Sequence, residues 1–197
     1  MKSVLISIQP KWCELIASGK KTVEVRKTKP KLQTPFKCYI YCTTDKRLLR
    51  KFNKGERIDD EHFFDEHVFV RKNTWIRGHF NPNKKVIGEF VCDRIYNITP
   101  HFDKPDFCNQ YLCDWKWGEG TACLSFTEMN DYLKGEKGYG WHITDLVIYD
   151  KPKELSEFWT IKCTNKKVGC SQCYIKPNCI IRITRPPQSW CYVERSK

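Results

Sequence analysis

Hydrophobic and polar positions along the chain fall into short blocks, most of them of strand length. Val4 to Ile8 is a short apolar run that reads as a buried strand. Pro10 follows where a helix can begin, because its missing N–H is lost at no cost in the first turn. Trp12, Cys13, Leu15 and Ile16 give that helix an apolar stripe, and Gly19 ends it. From Thr22 to Lys27 the period becomes two, with Val23 and Val25 on one face and Thr22, Glu24 and Arg26 on the other. Strand, short helix and strand thus place Lys21, Glu24 and Arg26 on or beside one polar strand face.

Further along, Cys38 to Thr43 alternates well enough for a strand. Residues 45–85 are mixed in charge with scattered aromatics, and read as an insertion with room for a short helix and a hairpin. Val86 to Thr99 returns to β character, with Val86, Phe90 and Ile95 as expected core, and residues 100–118 are irregular and aromatic-rich. A short helix is expected next, with Thr127 as N-cap, Tyr132 and Leu133 packed inward and Gly135 ending it. GWHITDLVIYD reads as a strand with a bend at Thr144 or Asp145, KPKELSEF as a turn or short helix, and a last strand runs through Trp190. Many short strands, few helices and no internal repeat predict a mainly β, α+β fold with a β-barrel core. At 197 residues this is a single domain over 1–197, with the insertion at about 45–85 inside it.

Charge changes the picture by its distribution. The net charge is +12, and residues 1–37 and 161–197 each contribute +7 while the middle sums to −2. If the first and last strands meet, the two ends make one basic face over a near-neutral body, which suits phosphate groups. A hydrophobic content of 40% supports a real core, and no apolar run approaches the ~20 residues a membrane span needs. MKSVLISIQP is too short and too soon interrupted to act as a secretory signal, so a cytoplasmic protein without a membrane partner is expected.

Twelve cysteines without a secretion signal argue against a disulfide framework. Cys163, Cys170, Cys173 and Cys179 lie in one polar stretch, and Cys170-x-x-Cys173 is a knuckle that lets two thiolates face one tetrahedral ion. The segment has too few apolar residues to fold on its own, so a structural zinc knuckle is expected at about 160–182; Cys191 is a substitute ligand in principle, but its place in the strand after Trp190 favours a small buried hydrophobe. Cys13, Cys38, Cys42, Cys92 and Cys123 read as core or half-buried thiols.

Gly19, Lys21, Glu24 and Arg26 form the pattern G-x-K-x-x-E-x-R. Together with Tyr139 to Phe158 and Ile183 to Glu194, it resembles the ASCH domain family, a branch of the PUA-like superfamily of small β-barrels that handle RNA and modified bases. The resemblance implies that Lys21, Glu24 and Arg26 line a cleft, and that the helix start at Gln9, Pro10 and Lys11 forms one edge of it. Some members are amidohydrolases that use a Lys and a Thr on this strand. Here Lys21 matches, but Glu24 stands at the nucleophile position and Thr22 lies two residues earlier, and a carboxylate cannot replace a hydroxyl nucleophile without a change of mechanism.

The residues themselves add Arg185 for phosphate or stacking, Gln188 and Trp190 on a rigid Pro186-Pro187 turn as a base-reading edge, and His142 as the outward member of the Trp141-His142 pair. The expected function is binding of RNA or a modified nucleotide in a basic cleft of Lys11, Lys21, Glu24, Arg26, His142, Arg185, Gln188 and Trp190. The alternatives are a hydrolase, acting on an acylated cytidine or as a ribonuclease through Lys21 and Glu24 with Thr22 in reserve, and a zinc-stabilised protein-interaction module.

Overall fold

The computed structural model describes residues 2–43, 75–76, 79–80, 84–100, 111–113, 121–161 and 180–195. Strand β1 (Ser3–Ile8) is buried at every position, which explains its lack of alternation. Helix α1 (Pro10–Ala17) starts with Pro10 in its first turn, and Gly19 follows its end at φ +73°. Strand β2 (Val23–Arg26) comes next, then β3 (Phe36–Cys42), which pairs parallel to β1. A parallel pair needs a crossover, and α1 with β2 supplies it. The remaining strands are β4 (Trp75–Ile76), β5 (His79–Phe80), β6 (Val86–Cys92), β7 (Ile95–Pro100), β8 (Tyr111–Cys113), β9 (Gly138–His142), β10 (Thr144–Lys153), β11 (Phe158–Ile161), β12 (Ile180–Arg182) and β13 (Trp190–Arg195). Helix α2 (Phe126–Leu133) precedes β9.

Among the described residues the strands form two main sheets and a small β4–β5 ribbon. One sheet is seven-stranded, in the order β10-β6-β3-β1-β13-β11-β12, and the other four-stranded, in the order β2-β9-β7-β8. The expected closed barrel is therefore replaced by two sheets joined at a corner. Two chain passages make that corner: β6 hands over to β7 across Asp93 and Arg94, and β9 hands over to β10 across Ile143. The His142 N–H donates to the Arg94 carbonyl (3.0 Å) and the Thr144 hydroxyl to the Val91 carbonyl (2.9 Å), which ties the two passages together. Asp145, at φ +47°, takes up the expected bend.

Between the sheets, Val4, Ile6 and Ile8 pack with Cys13 and Ile16 of α1, Cys38, Ile40, Phe90 and Trp141. On the far face of the larger sheet, Leu5 packs with Tyr39, Tyr41, Phe158 and Val193. On the far face of the smaller sheet, Val23, Val25, Tyr96 and Ile98 are covered by Met129 and Leu133 of α2. The first and last strands do meet: β1 and β13 are antiparallel neighbours, with Ser3 opposite Val193 and Ile6 opposite Trp190.

Three local expectations are corrected. The N-cap of α2 is Ser125 rather than Thr127, because Ser125 completes a capping box with Glu128: the Glu128 N–H donates to the Ser125 hydroxyl (3.2 Å) and the Ser125 N–H to the Glu128 carboxylate (3.0 Å). Leu133 is buried as expected, but Tyr132 lies on the exposed side of the helix. The stretch 100–118 holds a short strand, β8, which pairs with β7. The cysteine cluster 163–179 and most of 45–85 lie outside the described residues.

Gly88 sits opposite Ile40 on one side and Ile148 on the other, and a Cβ there would press into the backbone carbonyl oxygen of Val147. Gly88→Ala is expected to cost about 1–3 kcal/mol, since a backbone contact gives way less easily than a side chain. Urea unfolding of the variant beside the wild type checks this.

Candidate functional site

Strand β2 pairs with β9 so that Glu24 faces Trp141 and Arg26 faces Tyr139. Side chains alternate along a strand, so these four lie on the inner face of the smaller sheet, while Val23 and Val25 face α2. Lys21, Glu24 and Arg26 are 2%, 5% and 7% exposed. They form one cluster: Glu24 Oε2 lies 3.4 Å from Lys21 Nζ, and Glu24 Oε1 lies 2.9 Å from Arg26 Nη2. Lys21 Nζ also donates to the Ala122 carbonyl, and Arg26 Nη2 donates to the Ser7 carbonyl at 2.6 Å. One carboxylate thus balances two buried cations, which leaves the trio with one excess positive charge.

The surroundings of the trio are built from distant parts of the chain. Ser7 joins them: its hydroxyl donates to the Pro187 carbonyl (2.7 Å), and its N–H donates to the Ser189 carbonyl (2.9 Å). The Pro186-Pro187 turn is therefore one residue removed from Arg26. On the other side, the Thr22 and Val23 N–H groups both donate to the Thr121 carbonyl, which holds the Ala122 carbonyl over Lys21. The ring of Trp12 stands beside both lysines, with Lys21 Nζ 5.1 Å and Lys11 Nζ 4.6 Å from its centroid. Two buried donors in this region, Arg26 Nε and Trp141 Nε1, have no hydrogen-bond partner among the described residues.

The predicted residues divide accordingly. Lys21, Glu24 and Arg26 come together, but as a buried ion cluster rather than an open cleft wall. Lys11 is near them at the surface, where it pairs with Glu128 at 2.9 Å. Arg185 and Gln188 are exposed on the turn that Ser7 anchors. Trp190 is half-buried; its Nε1 donates to the Thr28 hydroxyl (3.0 Å), and its ring packs 5.9 Å from Trp141 and 5.4 Å from Tyr192. His142 is not with them. Its register partner is Val23, so it occupies the opposite face of the sheet, with Nδ1 2.7 Å from Asp93 Oδ1, and Trp141 holds the inner position instead. The Thr22 hydroxyl accepts from the Thr121 N–H at 2.9 Å and does not join the trio. Sequence reasoning missed Ser7, Trp12 and Ala122 as site residues; two of them act through backbone carbonyls, for which no side-chain signal exists.

Cys13, Cys38, Cys42, Cys92, Cys123 and Cys191 are in no disulfide, and the first four are buried. Burial raises the Cys13 and Cys38 thiols well above their usual range, and burial with Asp93 nearby pushes Cys92 up to about 12. Such thiols stay protonated and inert near neutral pH. Among the described residues no group of three or more His, Cys, Asp or Glu is placed to hold a metal ion, and no helix is long and apolar enough to cross a membrane. Cys163, Cys170, Cys173 and Cys179 lie outside the described residues.

A family model described as the ASCH domain matches residues 6–137. Two crystal structures of an ASCH protein from Zymomonas mobilis are similar in fold. The first has a TM-score of 0.50 at 20% identity, covering 98% of this chain and 87% of that one. A serine-to-alanine variant of the same protein has a TM-score of 0.50 at 19% identity, covering 98% and 88%. No curated protein matches in sequence.

Glu24→Gln would leave Lys21 and Arg26 facing each other, buried and uncompensated. The expected cost is about 3–5 kcal/mol, the range for breaking a buried ion pair by removing one partner. Adding Lys21→Met should restore part of it, because the second buried charge then also disappears. Urea unfolding of the single and double variants measures both effects.

Proposed function

The chain belongs to the ASCH domain family, and on that premise we propose that it binds RNA or a modified nucleotide over the Lys21–Glu24–Arg26 cluster. The superfamily handles RNA and modified bases, which supports this class of ligand. The observation that carries the proposal is the excess positive charge of a nearly dry cluster, beside two donors, Arg26 Nε and Trp141 Nε1, that have no acceptor among the described residues. Burying charge and leaving donors unmatched both cost free energy, so such a site favours an acceptor-rich or anionic group from outside the chain. A nucleotide offers carbonyl acceptors, a phosphate and a flat base, and Trp12 and Trp190 provide rings beside the cluster. Lys11, Arg185 and Gln188 form the rim. Because the trio is buried, with Trp12 beside Lys21 and the Pro187–Ser189 turn held on Ser7, the ligand reads the edge of the cluster.

Binding stands ahead of hydrolysis for a geometric reason. Both oxygens of Glu24 are engaged by cations, which disfavours it as a general base, and the Thr22 hydroxyl is fixed on the Thr121 N–H outside the trio, away from Lys21 and Glu24 as an activating pair. Isothermal titration of ribonucleotides provides the test. Lys21→Met keeps the Glu24–Arg26 pair and removes the excess charge, and it is expected to weaken binding at least about tenfold, the loss of one charge-assisted contact. Unchanged affinity in Lys21→Met and in Trp12→Leu, with both variants folded by thermal melting, would refute the location.

A structural zinc held by Cys163, Cys170, Cys173 and Cys179 belongs to the same proposal as a stabilising element. Register supports it: Ile161 and Ile180 are direct partners across β11 and β12, so the segment carrying the four cysteines leaves and re-enters the sheet at one point. A four-thiolate ion closes such an excursion where apolar residues are few. Metal analysis of the purified protein should find zinc, and Cys170→Ser combined with Cys173→Ser should abolish it.

A further inference from the structure

Next to the buried trio, the segment leaving β2 carries a second feature that a single nucleotide does not use. We infer that residues 27–31, together with Tyr139, Trp190 and Tyr192, form a track for the backbone of a single-stranded polynucleotide that leads to the trio. This rests on the reading above and narrows its ligand from RNA or a modified nucleotide to a single-stranded chain.

Lys27, Thr28, Lys29 and Lys31 are exposed while Pro30 is buried, so the segment is anchored at Pro30 with its three lysines at the surface. No acidic residue occurs between Glu24 and Asp45. Lys11, Lys37 and Lys85 each meet a carboxylate, but among the described residues Lys27, Lys29 and Lys31 do not. Instead Lys27 Nζ lies 5.6 Å from the Tyr132 ring centroid and Lys29 Nζ 5.0 Å from that of Tyr139. A ring face holds an ammonium without neutralising it, so the charge stays available.

The segment is also fixed in place. Trp190 Nε1 donates to the Thr28 hydroxyl at 3.0 Å, and the Lys31 N–H donates to the Tyr192 hydroxyl at 2.7 Å. It is continuous with the trio twice over: Lys27 follows Arg26 in the chain, and Trp190 packs on Trp141, the register partner of Glu24. Uncompensated cations interleaved with aromatic rings are the arrangement that follows phosphates while offering faces to bases. An acidic peptide would use the charges but leave the rings without a role.

The test compares a ribonucleoside monophosphate with an oligoribonucleotide of about ten nucleotides, a length within the range of single-strand sites. The proteins are wild type and a Lys27→Gln/Lys29→Gln/Lys31→Gln variant shown to be folded by thermal melting. The wild type should bind the oligonucleotide far more tightly than the monophosphate. The variant should bind the monophosphate unchanged, lose about a hundredfold in oligonucleotide affinity at about 0.1 M salt, and show a log–log salt slope smaller by about 2, at ~0.7 per phosphate contact. Equal affinity of the wild type for both ligands, or an oligonucleotide affinity untouched in the variant, would overturn the track while leaving the trio's role standing. Binding of neither ligand would overturn both. Polyglutamate competing as well as the oligonucleotide, with the same dependence on the three lysines, would overturn the track in favour of an acidic protein partner.

Discussion

A single carboxylate, Glu24, holds two buried cations, and the rest of the site is arranged around that imbalance. Neither Lys21 nor Arg26 is satisfied by Glu24 alone; each also donates to a backbone carbonyl, of Ala122 and of Ser7. Those carbonyls belong to segments far apart in the chain, so the ion cluster joins β1, β2 and the residues just before α2. Three desolvated charges are a poor device for stability alone, because packed apolar side chains would serve as well or better. Their retention at the edge of an otherwise apolar inter-sheet core makes sense as a preorganised polar site.

The sheet arrangement explains how such a cluster is kept in place. β1 lies at the centre of the larger sheet, between β3 and β13, and the Ser7 carbonyl that receives Arg26 is near its end. The corner formed by β6–β7 and β9–β10 holds the smaller sheet against the larger one, which brings the Trp141 ring under Trp190 and the inner face of β2 toward Ser7. Pairing of β1 with β13 then places the Pro186-Pro187 turn against Ser7. The first and last described strands are brought side by side by this long-range pairing rather than by any local motif.

Around the trio, the aromatic residues divide between core and surface by register. Trp141 is inner because it faces Glu24, and His142 is outer because it faces Val23. Trp190 connects the two environments, with its ring on Trp141 and its indole nitrogen on Thr28. This ordered contact is what links a dry cluster to an exposed basic segment, and it gives the proposed ligand path a physical continuity.

Much of the fold was legible in the chain itself, because short-range chemistry decides it. The apolar run of β1, Pro10 at the start of α1, Gly19 at its end, the alternation of β2 and the bend at Asp145 all follow from local preference, and the pattern Gly19, Lys21, Glu24 and Arg26 carried the family. The N-cap of α2 was misread by two residues although the chain distinguishes the candidates: Ser125 has Glu128 three residues on, the capping-box spacing, whereas Thr127 has Asn130 there. Tertiary structure alone decided the rest. Alternation says that Trp141 and His142 point to opposite faces, but not which face is inner, because that depends on strand register across β2 and β9. It also decided that the trio is buried, that Ser7 and Ala122 receive the two cations, and that the strands form two sheets meeting at a corner. Backbone carbonyls carry no signature in the sequence, and long-range pairing fixes where they stand.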